Sequence, residues 1–158
     1  MSAADPSTLE KFRKIMMERA GDDAFVTEWL HLTQDRITAF GGVTNDFDPH
    51  HIDPAVGVTG PFKRVMAQGF LTLSLLSHFS YQLPREDLPI KGQMNYGFEK
   101  VRFVKPAFVD DSFRARFKLK DVREKAGVGL VTTTDVTIES KETDDVVMAA
   151  EWLGLVIF

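Results

Sequence analysis

The stretch Thr44-Asn45-Asp46-Phe47-Asp48-Pro49-His50-His51-Ile52-Asp53, followed beyond Pro61 by Met66-Ala67-Gln68-Gly69-Phe70-Leu71-Thr72-Leu73-Ser74-Leu75-Leu76-Ser77-His78-Phe79, is where the chain changes character. The first part opens a turn-rich segment, Asn45 to Pro61, crowded with aspartate, histidine and proline. Aspartate and asparagine bond their own backbone and proline fixes φ, so the segment reads as a loop. The second part carries leucine, phenylalanine and small residues on all faces and no proline, the pattern of a helix enclosed by other structure. A polar loop feeding a buried central helix is the feature around which the rest is arranged.

Upstream, Ser7 and Glu10 match capping-box spacing, and Leu9, Phe12, Ile15, Met16 and Arg19 repeat at helical intervals up to Gly21. This predicts an amphipathic N-terminal helix that packs on the sheet; a membrane-surface role is the alternative. Phe25 to Leu32 reads as a strand, and Thr33 as the cap of a short helix through Phe40, ended by Gly41 and Gly42. Downstream the period changes to two. Phe113, Ala115, Phe117 and Leu119 fall on one face and Arg114, Arg116, Lys118 and Lys120 on the other, which predicts a strand. Val101 to Val104, Val128 to Ile138 and Val146 to Ile157 are further strand candidates, with turns at Asp110-Asp111, Lys125 to Gly127 and Lys141 to Asp145. Both faces of Trp152 to Phe158 are apolar, so the last strand is expected centrally in a sheet or beside a second subunit. The expected fold class is α+β, an antiparallel meander around one helix.

The chain has 158 residues, 44% apolar and 27% charged, as expected of one folded domain over residues 1–158. A formal net charge of −4 lacks the basic footprint that nucleic-acid phosphates require. Without cysteine, disulfide scaffolds, thiolate metal sites and cysteine nucleophiles are excluded. Met1 to Pro6 lacks the basic-then-apolar pattern of a secretory signal, and Lys63, Arg64, Gln68, Ser74, Ser77 and His78 interrupt the longest apolar run. A cytoplasmic location is therefore expected, with no membrane or nucleic-acid partner.

The loop segment resembles the signature of MaoC-like (R)-specific enoyl-CoA hydratases, Ser-Gly-Asp-x-Asn-Pro-Leu/Ile-His-x-Asp, with Asp46, Pro49, His51 and Asp53 matching. The resemblance continues through Phe62 into Ala67-Gln68-Gly69 and the leucine-rich run beyond it, where the family has His-Gly. Asn95-Tyr96-Gly97, Lys100-Val101-Arg102-Phe103 and Pro106 are similar to its NodN-like branch. Asn45, Asp48, His50 and Gln68 depart from the pattern, and Asp48 and His50 add a carboxylate and an imidazole near the site. The resemblance implies a single hot-dog fold, an acyl-CoA or acyl carrier protein thioester as substrate, no cofactor, no metal, and a homodimer or higher homo-oligomer. It also matches Ser77 to a position where the family often has a serine near the catalytic carboxylate.

The chemistry can be argued from the residues. Hydrating an enoyl thioester requires a base to deprotonate water as it attacks the β-carbon and an acid to protonate the α-carbon. A histidine, with an ordinary pKa of about 6.5, exchanges protons at neutral pH. Asp46 and His51 are therefore expected to activate water and move the proton, facing a common cavity. Gly69, at the start of the central helix, is the expected backbone donor to the thioester oxygen, because its missing side chain permits close approach.

Blander readings stand beside each of these. Asp46 and His51 can belong to a capped turn, Gly69 can serve tight packing, and Ser77 can bond back to its own helix. Asp46, Asp48, His50, His51 and Asp53 are all possible metal ligands, without the glycine and glutamate of an EF-hand loop. His31 and His78 read as structural, in apolar surroundings. The Arg114 to Lys120 stripe reads as a solvated face, with the phosphates of coenzyme A or an acyl carrier protein as its alternative partner. A thioesterase remains as a competing function, although the central helix offers no carboxylate, and so does a non-catalytic acyl-thioester binder.

Overall fold

A computed structural model describes residues 6–20, 23–84 and 90–158. A helix α1, Pro6–Arg19, precedes two short strands, β1 (Phe25–Val26) and β2 (Leu30–His31). Helix α2 (Gln34–Thr44) and two single turns, α3 (Pro49–Ile52) and α4 (Pro54–Gly57), lead to the central helix α5, Gly69–Ser80. Four long strands follow: β3 (Gly92–Phe103), β4 (Ser112–Lys125), β5 (Gly129–Ser140) and β6 (Val146–Ile157). The sheet order is β1-β4-β5-β6-β3, all neighbours antiparallel, with β2 also on β4. This is the expected α+β class, an antiparallel sheet around one helix, but the expected meander holds only for β4, β5 and β6: β3 pairs with β6 rather than with β4, the strand that follows it in sequence.

The period-two pattern sorts the two faces. Phe113, Ala115, Phe117, Val136, Ile138, Met148 and Ala150 pack against Leu71, Leu75, Leu76 and Phe79 of α5. Helix α1 covers another part of the same face, where buried Phe12 joins Val122, Leu130, Val156 and Phe158. Packing on the sheet is thus its role. Strand β6 lies between β5 and β3, and its Leu153 and Leu155 join Val131 in a cluster separate from the one around α5. Of the two positions expected for Trp152 to Phe158, the one inside the sheet is found.

Several expectations need correction. The strand expected over Phe25 to Leu32 breaks into β1 and β2, because Thr27 sits between them, its N–H on Ala115 O and its hydroxyl accepting Ala115 N–H. Gly41 and Gly42 do not end α2, which continues to Thr44 and stops at Asn45 in the left-handed conformation (φ 56°). The loop from Asn45 contains two capped helical turns rather than irregular chain. Helix α5 begins at Gly69, since Met66 pairs with Phe108 in an isolated bridge. His31 and His78 are exposed, His31 beside Asp110 at 3.8 Å. The proposed end of α1 at Gly21, like Met1 to Asp5, lies outside the described residues.

Strand β3 forms one edge of the sheet. Met94, Tyr96, Phe98 and Phe103 on it are 38–52% exposed, an apolar edge of the kind that invites pairing. No helix among the described residues is long and apolar enough to cross a membrane.

Candidate active site

Local rules place Asp46 and His51. Thr33 caps α2 by accepting from Arg36 N–H, and the helix delivers the chain to Asn45, a residue type that tolerates left-handed angles. Asp46 N–H then bonds back to Gly41 O at 3.0 Å. Only glycine fits at 41: a Cβ there would stand 2.7 Å from Asp46 O and 3.3 Å from both the Gln68 amide nitrogen and Ile52 Cγ2. The sequence offered a signal for this in a glycine pair inside a helical run.

Pro49 and Pro54 open α3 and α4, where a missing N–H costs nothing. Asp48 and Asp53 cap these turns, accepting from His50 N–H at 2.8 Å and Ala55 N–H at 2.9 Å. The His50 ring also bonds Asp48, at 2.9 Å. The backbone N–H of His50, and then its imidazole, hold the Asp48 carboxyl below the usual carboxylate range. The extra carboxylate and imidazole of the sequence are thus engaged with each other. Among the described residues no three histidine or acidic side chains converge as metal ligands.

Among the described residues, half-buried Asp46 has a single long contact to its carboxylate, Asp48 N–H at 3.5 Å. His51 is anchored twice. Its carbonyl accepts from Gln34 Nε2 at 2.8 Å, and its ring Nδ1 lies 2.7 Å from Met66 O. A carbonyl only accepts, so Nδ1 carries the hydrogen and Nε2 is left as the basic nitrogen of the neutral ring. The Met66 contact could not be read from sequence, because it uses a main-chain atom.

Gly69 is the first residue of α5, and Gln68 is its N-cap without a capping bond. The Phe103 ring lies 3.2 Å from where a Cβ of Gly69 would be. Close approach is therefore real at this position, and Phe103 makes it. Gln68 is 2% exposed; its Nε2 donates to Ile37 O at 3.2 Å, and among the described residues its Oε1 has no hydrogen-bond partner. Ser77 stands about 12 Å along α5 from Gly69, within 3.5 Å of Asn95 Nδ2.

A cleft of about 1010 Å³ opens between α1, the C-terminal half of α5 and the sheet, lined by Ser77, Thr132, Thr134 and Trp152 among others. Asp46, His51 and Gly69 do not line it. Of the four expected site residues, Ser77 alone lines this cleft. On the opposite sheet face, Arg114 and Arg116 both pair with Glu139, and Lys120 lies 3.2 Å from Glu151 and 3.8 Å from Asp135. Hydrogen bonds from Arg116 and then Arg114 hold the Glu139 carboxyl below its usual range despite partial burial. The basic stripe is largely met by carboxylates from β5 and β6, which favours the structural reading over a phosphate site.

Residues 17–141 match the family model of the MaoC like domain. The chain belongs to the MaoC-like family. It is 33% identical over 142 residues to nodulation protein N of Rhizobium leguminosarum bv. viciae, covering 89% of this chain and 88% of that protein. It is 32% identical over 123 residues to 3-hydroxyacyl-thioester dehydratase Z of Mycobacterium tuberculosis, covering 76% and 79%. Among solved structures, the (R)-hydratase from A. caviae involved in PHA biosynthesis superposes with a TM-score of 0.69 at 25% identity, covering 85% of this chain and 96% of that one. The MaoC-like chain therefore has the hot-dog fold, and the expected family is the one found.

Proposed function

We propose that this chain is a hydratase/dehydratase that interconverts trans-2-enoyl and (R)-3-hydroxyacyl thioesters, with Asp46 and His51 as its proton-transfer pair. The observation that carries this reading is the His51 Nδ1–Met66 O bond, which leaves Nε2 free to take a proton. Water gives a proton to the pair while its oxygen bonds the β-carbon. The C=C electron pair moves toward the thioester carbonyl, whose oxygen is met by the Gly69 N–H, and the pair returns a proton to the α-carbon. The acyl portion lies in the cleft beside Ser77, and the thiol carrier is coenzyme A or an acyl carrier protein. The whole chain acts as one domain, paired with a second copy through the apolar edge of β3. Membership of the family, a dehydratase among the relatives and a hydratase among the fold neighbours support this.

The test is loss of the conjugated enoyl-thioester absorbance with enoyl-CoA substrates of increasing length, for wild type, Asp46→Asn, His51→Ala and the double variant. Each single change is expected to cost about 10²-fold or more in kcat. The double variant should lose much less than the product, because members of one catalytic unit are not additive. Folded Asp46→Asn with near-normal hydration refutes the pair, and activity that falls with a chelator refutes the metal-free site. A second reading, acyl-thioester binding without turnover, is favoured by a cleft that Asp46 and His51 do not line. It predicts tight enoyl-CoA binding by wild type with no hydration.

A further inference from the structure

The segment between α4 and α5 is held to the start of β4 by an ion pair that the reaction does not use. Arg64 pairs with Asp111 through both guanidinium arms, Nη2 on Oδ1 and Nη1 3.4 Å from Oδ2. Nη2 also donates to Val109 O at 3.1 Å, and the guanidinium lies over the Phe108 ring, 4.4 Å from its centroid. The Asp111 side chain is only 4% exposed, so this carboxylate is committed to its partner. On the same segment Val65 O accepts from Val109 N at 3.0 Å and Ala67 N donates to Ala107 O at 2.8 Å. Met66 bridges Phe108 between these two bonds. In an antiparallel pair of this kind the residue between two such bonds turns its own N–H and C=O away from the partner strand. Met66 O faces the other side, and there it meets His51 Nδ1 at 2.7 Å.

We propose that Arg64 is a positioning residue: clamped to Asp111 and Val109 O, it fixes the Met66 carbonyl, and the carbonyl fixes the orientation and Nδ1–H tautomer of His51. The inference rests on His51 being the proton carrier for its effect on rate, and on geometry alone for its effect on the tautomer. A lysine at 64 keeps the charge but loses the planar two-armed grip. Removing both members with apolar residues of similar size takes away the clamp without leaving a buried carboxylate unpaired, a replacement that is often well tolerated.

The experiment uses the full chain as wild type, Arg64→Lys and the double variant Arg64→Met/Asp111→Leu. Imidazole ¹⁵N NMR at a pH where the rings are neutral reads the His51 tautomer, His51→Ala assigns its signal, and circular dichroism reports folding. Wild type is expected as the Nδ1–H form, with both variants mixed between tautomers. In the hydration assay kcat is expected to fall about tenfold or more with KM changed far less, since small misplacements of a reacting group act on rate. A wild-type Nε2–H tautomer overturns the proposal, and so does a folded variant with unchanged tautomer and kcat. Normal hydration by His51→Ala would instead overturn the function proposed above, leaving the tautomer result to decide the clamp.

Discussion

Gly41→Ala and Gly42→Ala are adjacent changes in one helix that should have opposite signs. Glycine inside a helix is worse than alanine by about 0.5–1 kcal/mol, so either change would ordinarily stabilise. At Gly42 a new Cβ meets nothing within 4 Å, and the ordinary gain of roughly 0.5–1 kcal/mol is expected in full. At Gly41 it would sit 2.7 Å from the main-chain oxygen of Asp46, with the Gln68 amide and Ile52 each at 3.3 Å. Backbone must move to make room, and overpacking of this kind costs about 1–3 kcal/mol. The balance is a net loss of about 1–2 kcal/mol after the propensity gain, or roughly 2–8 °C in Tm for a chain of this size. The oxygen that must move belongs to Asp46, so hydration should fall along with stability. Urea denaturation of both variants beside wild type, with rates measured on the folded fraction, reads both effects. Gly41→Ala as stable as Gly42→Ala, or as active as wild type, would show that the α2–α5 junction is looser than its geometry implies.

Gly69→Ala should destabilise by about 1 kcal/mol, because its Cβ meets the Phe103 ring at 3.2 Å; adding Phe103→Leu should restore much of this, and a double-mutant cycle in denaturant that finds no coupling contradicts the contact. Glu139 is held below the ordinary carboxylate range in the folded chain by Arg116 and Arg114. Its contribution is therefore full above the unfolded carboxylate pKa of about 4.3 and lost as pH falls through the lower folded value. Wild type should exceed Glu139→Gln in stability at pH 7, with the gap closing between about pH 5 and 3; a gap that does not depend on pH rules out this role. Sedimentation at micromolar concentration should give twice the chain mass, and Met94→Glu on the exposed edge of β3 should shift it toward the monomer; a wild-type monomer would end the pairing proposal.

How much of this was legible in the sequence depends on which forces set each feature. The strands were readable because alternation along Phe113 to Lys120 is imposed by one buried face, and of the two positions expected for Trp152 to Phe158 the one inside the sheet is found; the pairing of β3 with β6 in place of β4 was not readable, because it joins strands distant in sequence. The break between β1 and β2 was not readable, since it depends on where Thr27 meets Ala115. Local propensity misled at Gly41-Gly42. Two glycines look like a helix end, yet the first is there to let Asp46 approach, and the end belongs to Asn45, three residues beyond Gly42. His78 seemed enclosed because its neighbours along the chain are apolar, but it lies on the outer side of α5.

The candidate site follows the same division. The aspartates of the loop could be listed from sequence but not sorted, because capping depends on which backbone N–H each reaches. Asp48 and Asp53 cap the turns opened by the two prolines, and Asp46, outside both turns, keeps a nearly unoccupied carboxylate. Likewise two adjacent histidines take different roles by partner alone. His50 turns to Asp48, on its own turn, while His51 reaches fifteen residues ahead to a carbonyl whose direction is set by β-pairing with the 107–109 segment. A pair drawn from one loop therefore relies on a strand contact contributed from beyond the central helix. Changes at Phe108 or Asp111, which lie outside the main hydrophobic cluster, should accordingly register at His51 before they register in the core.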